Sequence, residues 1–130
     1  MVRVGIIGGA GYTGGEAIRI LLNHPEAELV FVHSNSNAGN RLCDVHVDLL
    51  GETDMRFTGE LRTDVDALLL CVGHGGARKF LEATPLPDSV RVIDLSQDFR
   101  LSASSSIGGR RFVYGLPEMN RERIRSARNI

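Results

Sequence analysis

The sequence predicts an α/β fold: a doubly wound, mostly parallel sheet with helices on both faces. Three observations carry this expectation. A glycine-punctuated turn joins an apolar run to an amphipathic helical pattern over residues 4–22. Further apolar runs at 28–33 and 67–72 are nearly continuous rather than alternating, as strands covered on both faces are, and 90–95 reads as another strand. Helical stretches and short turns lie between them, the alternation that builds right-handed β-α units around a parallel sheet.

The first unit is the most informative. Val4, Ile6 and Ile7 form a short strand, and Ala17, Ile18, Leu21 and Leu22 share one face of a following helix. Between them Gly8, Gly11 and Gly14 recur at spacing three, and from Gly9 onward the residues spell G-x-G-x-x-G. In a strand-turn-helix context each glycine has a task. One permits the tight turn, one lets the backbone approach a pyrophosphate, and one lets the helix pack closely on the strand. The helix N-terminus then offers unpaired N–H groups and a partial positive charge to phosphates. The alternative is a glycine-rich turn without a ligand. The flanking strand and helix weigh against it and favour a Rossmann-type dinucleotide site.

Composition sets the frame. A chain of 130 residues fits one domain and can bury a core. Hydrophobic residues make up 42% and charged residues 24%, which is ordinary for a globular protein. A net charge of −1 gives no general affinity for nucleic acid or membrane surfaces. Two cysteines make no disulfide framework and point to a reducing compartment. Arg3 is followed by an apolar run that glycine interrupts at once, which is no signal peptide, and residues 67–72 are too few to span a bilayer. The expectation is a soluble cytoplasmic domain.

Taken in order, the first helix should stop at Asn23-His24-Pro25, because proline disfavours helix at the residue before it. The second strand, 28–33, is followed by Ser34, Asn35, Ser36 and Asn37, with Arg41 further on and no acid among residues 33–41. An NAD site places Asp or Glu here for the ribose 2′-hydroxyl, whereas hydroxyls and a nearby Arg suit a 2′-phosphate. The expected cofactor is therefore NADP, with Ser34 and Ser36 as contacts. Residues 41–50 read as a helix with Leu42, Val45, Leu49 and His46 inward, and 55–58 as a short strand at best. Residues 67–72 are the clearest buried strand. Gly73-His74-Gly75-Gly76 turns into a helix over 77–83, which Thr84-Pro85-Leu86-Pro87 ends, and 90–95 is another strand. Residues 102–106 read as a short loop, and Pro117 as the first turn of a last helix. Ligands on parallel sheets sit at the carboxyl ends of the strands. Gly8, Ser34, Gly73, His74 and Ser96 all fall at such ends and should converge on one crevice.

Other chemistries lack their residues. Cys43-x-x-His46 and Cys71-x-x-His74 resemble zinc half-sites. One cysteine falls on a helix and the other inside a buried strand, where a thiol acts as a small hydrophobe, so no metal is expected. An apolar strand likewise opposes the electropositive setting of a reactive thiolate. There is no G-x-x-x-x-G-K-[ST], so no P-loop. Lys79 is the only lysine and follows no tyrosine at spacing four, which excludes a Tyr-x-x-x-Lys pair. Arg121, Arg123, Arg125 and Arg128 are interleaved with Glu122 and read as a solvated helix face rather than a nucleic-acid surface.

The remaining pieces are more specific than the glycine turn. They are Gly73-His74-Gly75, Asp94-Leu-Ser-Gln-Asp-Phe-Arg100 and Tyr114-Gly-Leu-Pro-Glu118 with Asn120-Arg121. Together with Gly8-Gly-Ala-Gly-Tyr-Thr-Gly14, and in this order, they cover nearly the whole chain and resemble the nucleotide-binding half of the N-acetyl-γ-glutamyl-phosphate reductases, of the semialdehyde dehydrogenase type. The resemblance implies an NADP(H)-binding domain over 1–130, with Tyr12 and Thr13 joining the glycines, Ser34, Ser36, Gly73, His74 and Ser96 as cofactor contacts. Many relatives carry Lys after the glycine matching Gly39, where this chain has Asn40 and then Arg41. The resemblance further implies a fragment: no catalytic residue within 1–130, the nucleophilic cysteine segment and the substrate domain lying beyond, and a homo-oligomer for the full-length protein. The implied parent reaction is reduction of N-acetyl-γ-glutamyl phosphate through a cysteine thioester, in arginine biosynthesis. A dinucleotide-sensing module without chemistry is the competing expectation.

Overall fold

The computed structural model describes residues 1–130. Strand β1 (Val2–Ile7) leads through the glycine turn into helix α1 (Tyr12–Leu22), and strand β2 (Ala27–His33) follows. A short helix α2 (Leu42–Val45) precedes strand β3 (Ala67–Leu70), helix α3 (Gly76–Ala83) and strand β4 (Arg91–Asp94). These four strands form one parallel sheet in the order β2-β1-β3-β4. All four carboxyl ends therefore open on the same edge, as the doubly wound reading requires.

Each face of the sheet has its own core. Successive residues of a strand point to opposite sides, so Ile6 enters one core and Ile7 the other. Ile6, Leu29 and Val32 pack under Ala17 and Ile18 of α1 and Leu42 and Cys43 of α2, with Leu49 and Phe57 closing that side. On the opposite face Ile7, Phe31, Leu68, Leu70 and Val92 pack under Ala77 of α3, Phe99 and Phe112. The rings of Phe99 and Phe112 stack at 4.2 Å, and the Arg78 guanidinium lies 4.7 Å from the Phe99 centroid.

Several elements differ from the sequence expectation. The helix expected over 41–50 breaks at His46 (φ −104°, ψ 85°) into α2 and a single 3₁₀ turn at Val47–Leu49. The break lets the His46 ring reach back to the glycine turn, a bond no local periodicity records. Residues 55–58 form isolated bridges rather than a strand, Thr58 beside His33 and Arg56 beside Arg41. Cys71 lies one residue past β3 and is half-buried, not in mid-strand, although its N–H still donates to the Ile7 carbonyl at 2.8 Å. The stretch expected as loop contains a 3₁₀ turn (Ser102–Ser104) and begins a hairpin of β5 (Ser106–Ile107) and β6 (Arg110–Arg111). Its two-residue connection is Gly108-Gly109, both with positive φ, as hairpin turns of the primed type demand. Helix α4 (Pro117–Ser126) carries proline in its first turn as expected. No helix is long and apolar enough to cross a membrane.

Residues 128–130 run parallel to β4. Val92 N–H donates to the Arg128 carbonyl, Ile130 N–H to the Val92 carbonyl, and Asp94 N–H to the Ile130 carbonyl. Arg110 fastens this edge. Its guanidinium donates to the carbonyls of Leu86 (3.4 Å), Pro87 (2.8 Å) and Val90 (2.9 Å), and to Oδ1 of buried Asn129 at 2.8 Å. Replacing it with leucine keeps volume but strands these acceptors. Arg110→Leu should therefore lower stability by about 2–3 kcal/mol. The check is a shift of the urea midpoint at unchanged m-value; an unchanged midpoint would mean that water replaces the guanidinium at no cost.

Candidate functional site

The glycine turn is fixed from below and open above. Gly8 and Gly9 N–H groups both donate to the His33 carbonyl, at 3.1 and 3.0 Å, which binds the turn to the end of β2. Gly8 has φ +77°, and a Cβ there would lie 2.7 Å from the Cys71 carbonyl oxygen. A Cβ on Gly14 would lie 2.6 Å from the backbone of Gly9, so helix and turn meet backbone to backbone. Gly11 is the opposite case. It precedes α1 in extended conformation, and a Cβ would meet nothing within 4 Å. No side chain caps α1, no acid occupies its first turn, and Tyr12 and Thr13 are exposed. The free N–H groups of α1 thus face open space at the carboxyl edge of the sheet.

His46 supports the turn from the side. Its Nε2 lies 2.7 Å from the Gly9 carbonyl oxygen, to which the ring N–H donates. The ring also lies against Gly15, where a Cβ would sit 2.7 Å from Nδ1.

Helix α3 also begins at the carboxyl edge, but its N-terminus is taken. Asp98 accepts bonds from the Gly75 N–H at 2.6 Å and the Arg78 N–H at 3.0 Å. Burial works against the Asp98 carboxylate, but the N–H groups of Arg78, Gly75 and Ala77 outweigh it and hold its pKa below the usual value. His74, exposed, accepts the Gln97 N–H on Nδ1 at 3.1 Å. Gly73 is exposed, with open space where a Cβ would stand. Ser96 is buried, and its hydroxyl donates to Asp94 Oδ2 at 2.7 Å while accepting the Asp98 N–H at 3.1 Å. Burial pushes the Asp94 carboxyl up despite these bonds from Ser96.

At the end of β2, Ser34 is buried and its Oγ accepts the Asn37 N–H at 3.3 Å. Ser36 is exposed, its Oγ accepting from Asn37 Nδ2 at 3.3 Å. Arg41 is committed to Asp44 in an ion pair of 3.0 Å. The expected residues therefore share the carboxyl edge in two linked groups. Gly8, Gly11, Tyr12, Thr13, Gly14 and Ser34 surround the first turn, joined through the His33 carbonyl and the end of β2. Gly73, His74 and Ser96 belong to two loops cross-linked by Asp98 and His74. A cavity of about 250 Å³ opens beside the second group, lined by Asp94, Ser96, Phe99, Arg100, Tyr114 and Ile130 among others. Sequence reading did not anticipate the contribution of His46 or of Asp98. Each acts on a partner 20 or more residues away in the chain, so local spacing carries no sign of it.

The two thiols lie in unlike settings. Cys43 is buried. Burial, and then the nearby Asp94 carboxylate, push the Cys71 thiol up to about 11. Because the folded value lies above the unfolded one, the neutral thiol favours the folded state fully below about pH 8.5 and loses that contribution as pH rises toward 11. Alkylation of Cys71 by iodoacetamide should accordingly be slow at pH 8, accelerate only above about pH 10, and become fast at pH 8 in urea. Rapid native-state labelling at pH 8 would contradict this environment.

Comparison with known proteins agrees with the fold. Residues 3–127 match the family model described as semialdehyde dehydrogenase, NAD binding domain, a domain whose cofactor is a nicotinamide dinucleotide. A Parabacteroides distasonis protein named N-acetyl-gamma-glutamyl-phosphate reductase is 55% identical over 131 residues, covering 100% of this chain and 39% of its own length. A Bacteroides thetaiotaomicron protein of the same name is 51% identical with the same coverage. The chain thus spans 39% of the length of these relatives. Among solved structures, aspartate semialdehyde dehydrogenase with NADP from Candida albicans superposes with a TM-score of 0.63 at 18% identity, over 78% of this chain and 31% of that one. Aspartate semialdehyde dehydrogenase II from Vibrio cholerae, complexed with ASA, gives 0.62 at 21%, over 100% and 37%. These structural likenesses speak for the fold. Matched along all but its first two and last three residues, this chain belongs to the semialdehyde dehydrogenase NAD-binding domain family.

Proposed function

We propose that residues 1–130 are the NADP(H)-binding domain of an N-acetyl-γ-glutamyl-phosphate reductase. The observation that carries the reading is the open, uncapped N-terminus of α1 above the glycine turn, beside an α3 N-terminus already occupied by Asp98. Of the turns into α1 and α3, only that into α1 is left free to take a pyrophosphate, and it is the one with the dinucleotide glycine pattern. The names of the relatives support the substrate class, an acyl phosphate that is reduced.

In that role the chain holds and orients. Gly11 leaves room for the pyrophosphate, and the first N–H groups of α1 bind it. Gly8 and Gly14 let the turn lie against β3 and α1 without a Cβ between. Ser34 and Ser36 take the ribose end, and Gly73 and His74 flank the crevice from the β3 side. A bound nicotinamide supplies the hydride for reduction of the acyl group. The acyl group needs a thiolate to attack it and expel phosphate. Cys43 is buried and the Cys71 thiol is held protonated at neutral pH. The nucleophile and the substrate-binding residues are therefore assigned to parts of the parent protein outside 1–130.

Two binding measurements test this. Gly11→Val puts a branched side chain into the space left for the pyrophosphate. Because Gly11 has φ −84° and nothing nearby, the fold should lose no more than about 1 kcal/mol. NADPH affinity measured by calorimetry should nevertheless fall about tenfold or more, and equal affinity in variant and wild type would refute the site.

Cofactor choice is tested at the end of β2. Wild-type protein should bind NADPH more tightly than NADH. Ser34→Asp should reverse the order, because a carboxylate can still accept the Asn37 N–H yet repels a 2′-phosphate. Tighter binding of NADH by the wild type would defeat the argument from the missing acid.

A further inference from the structure

We propose that Arg56, not Arg41, is the cation that recognises the 2′-phosphate of the dinucleotide, a specificity that rests on the NADP(H) reading above. Arg56 lies 23 residues beyond the end of β2 at His33, yet the fold brings it beside the loop that follows that strand. Four backbone bonds do this. Thr58 carbonyl accepts from Ser34 N–H at 3.0 Å, Phe57 carbonyl from Gly39 N–H at 2.8 Å, Asn40 carbonyl from Phe57 N–H at 2.9 Å, and Met55 carbonyl from Leu42 N–H at 2.9 Å. Residues 55–58 are thereby laid along residues 34–42, and the Arg56 guanidinium donates from Nη1 to the Gly39 carbonyl at 2.8 Å.

The two arginines flanking this loop differ in what they have left to offer. Arg41 binds Asp44 twice, from Nη2 to Oδ1 at 3.0 Å and from its backbone N–H to Oδ2 at 3.1 Å, at the start of α2. Turning its guanidinium toward a ligand would break the ion pair and leave Asp44 with the backbone bond alone. Arg56 is exposed and joins none of the five ion pairs of the chain. One hydrogen bond to a neutral carbonyl anchors it, and four of its five N–H donors remain. Asp44, the acid near it, is spent on Arg41. A planar fork of free donors, held at the loop that receives the ribose, with the hydroxyls of Ser34 and Ser36 in the same loop and no carboxylate there to repel, suits a phosphate monoester.

The test measures affinities of the full-length protein and two variants, Arg56→Gln and Arg41→Gln, for four probes: NADPH, NADH, adenosine 2′,5′-bisphosphate and AMP. Glutamine can keep the bond to the Gly39 carbonyl, so the loop should hold its shape. Arg56→Gln should weaken NADPH and the bisphosphate about 10- to 100-fold and change NADH and AMP by less than about threefold. Arg56→Lys should restore part of the loss, and the wild-type preference for NADPH should shrink with rising salt. A uniform loss across all four probes would show a structural role and overturn the proposal. So would a selective loss in Arg41→Gln with none in Arg56→Gln, which would leave the NADP(H) reading standing. A wild type that prefers NADH would overturn both.

Discussion

The contact on which the remainder depends is that between Gly14 and the backbone of Gly9. With any side chain at position 14, a Cβ would sit 2.6 Å from three backbone atoms of the turn, a distance packed atoms do not adopt. Helix α1 can descend onto the turn only because Gly14 lacks a Cβ; a Cβ on Gly9 would run instead into the Val32 side chain beneath the turn. That descent buries Ala17 and Ile18 against Ile6 and Val32 and sets the axis of the helix toward the carboxyl edge. The bonds from Gly8 and Gly9 to the His33 carbonyl and from His46 to the Gly9 carbonyl hold the turn from two further sides. The turn is thus over-determined, and rigid backbone N–H groups are what a charged ligand needs for preorganised binding.

The charge on the carboxyl edge is divided unevenly. Helices α1 and α3 both begin there, and each presents the positive end of its dipole. At α3 the Asp98 carboxylate satisfies the Gly75 and Arg78 N–H groups and ties the loop after β4 to the loop after β3. At α1 no residue of the chain plays that part. An internal anion at one helix start and none at the other sets two similar strand-turn-helix units apart: one is tied across the carboxyl edge and the other is left uncapped.

The parallel sheet, its doubly wound character and the first unit were legible in the sequence because their signals are local. Continuous apolar runs, glycine spacing and the Asn23-His24-Pro25 stop all act within a few residues. What was not legible depends on partners distant in the chain. The break at His46 follows from a bond to Gly9, 37 residues earlier. The hairpin at β5 and β6 is four residues of strand around Gly108-Gly109, too short for periodicity to register. The mid-strand placing of Cys71 failed because the apolar run 67–72 continues past the last ladder pair at Leu70. Among the site residues, the glycines carried a mechanism in their spacing. For Ser34, Ser36, Gly73, His74 and Ser96 the sequence indicated the edge of the sheet and not how each polar group is spent.

Ser96 shows what that difference means. A hydroxyl has one donor and two acceptor lone pairs. Its donor goes to Asp94 Oδ2 and one lone pair to the Asp98 N–H. Diverting the donor to a ligand would take a bond from the half-buried Asp94 carboxylate, whose pKa burial already raises. Diverting the acceptor would loosen Asp98, and with it the cap on α3 and the link between the two loops. Ser96 therefore has one hydroxyl lone pair left over, its backbone N–H being given to Asp94 Oδ1, and its effect is to hold the Asp94–Asp98 turn in shape. The second half of the crevice is in this sense built to be stiff before it is built to bind, the reverse of the arrangement at Gly11.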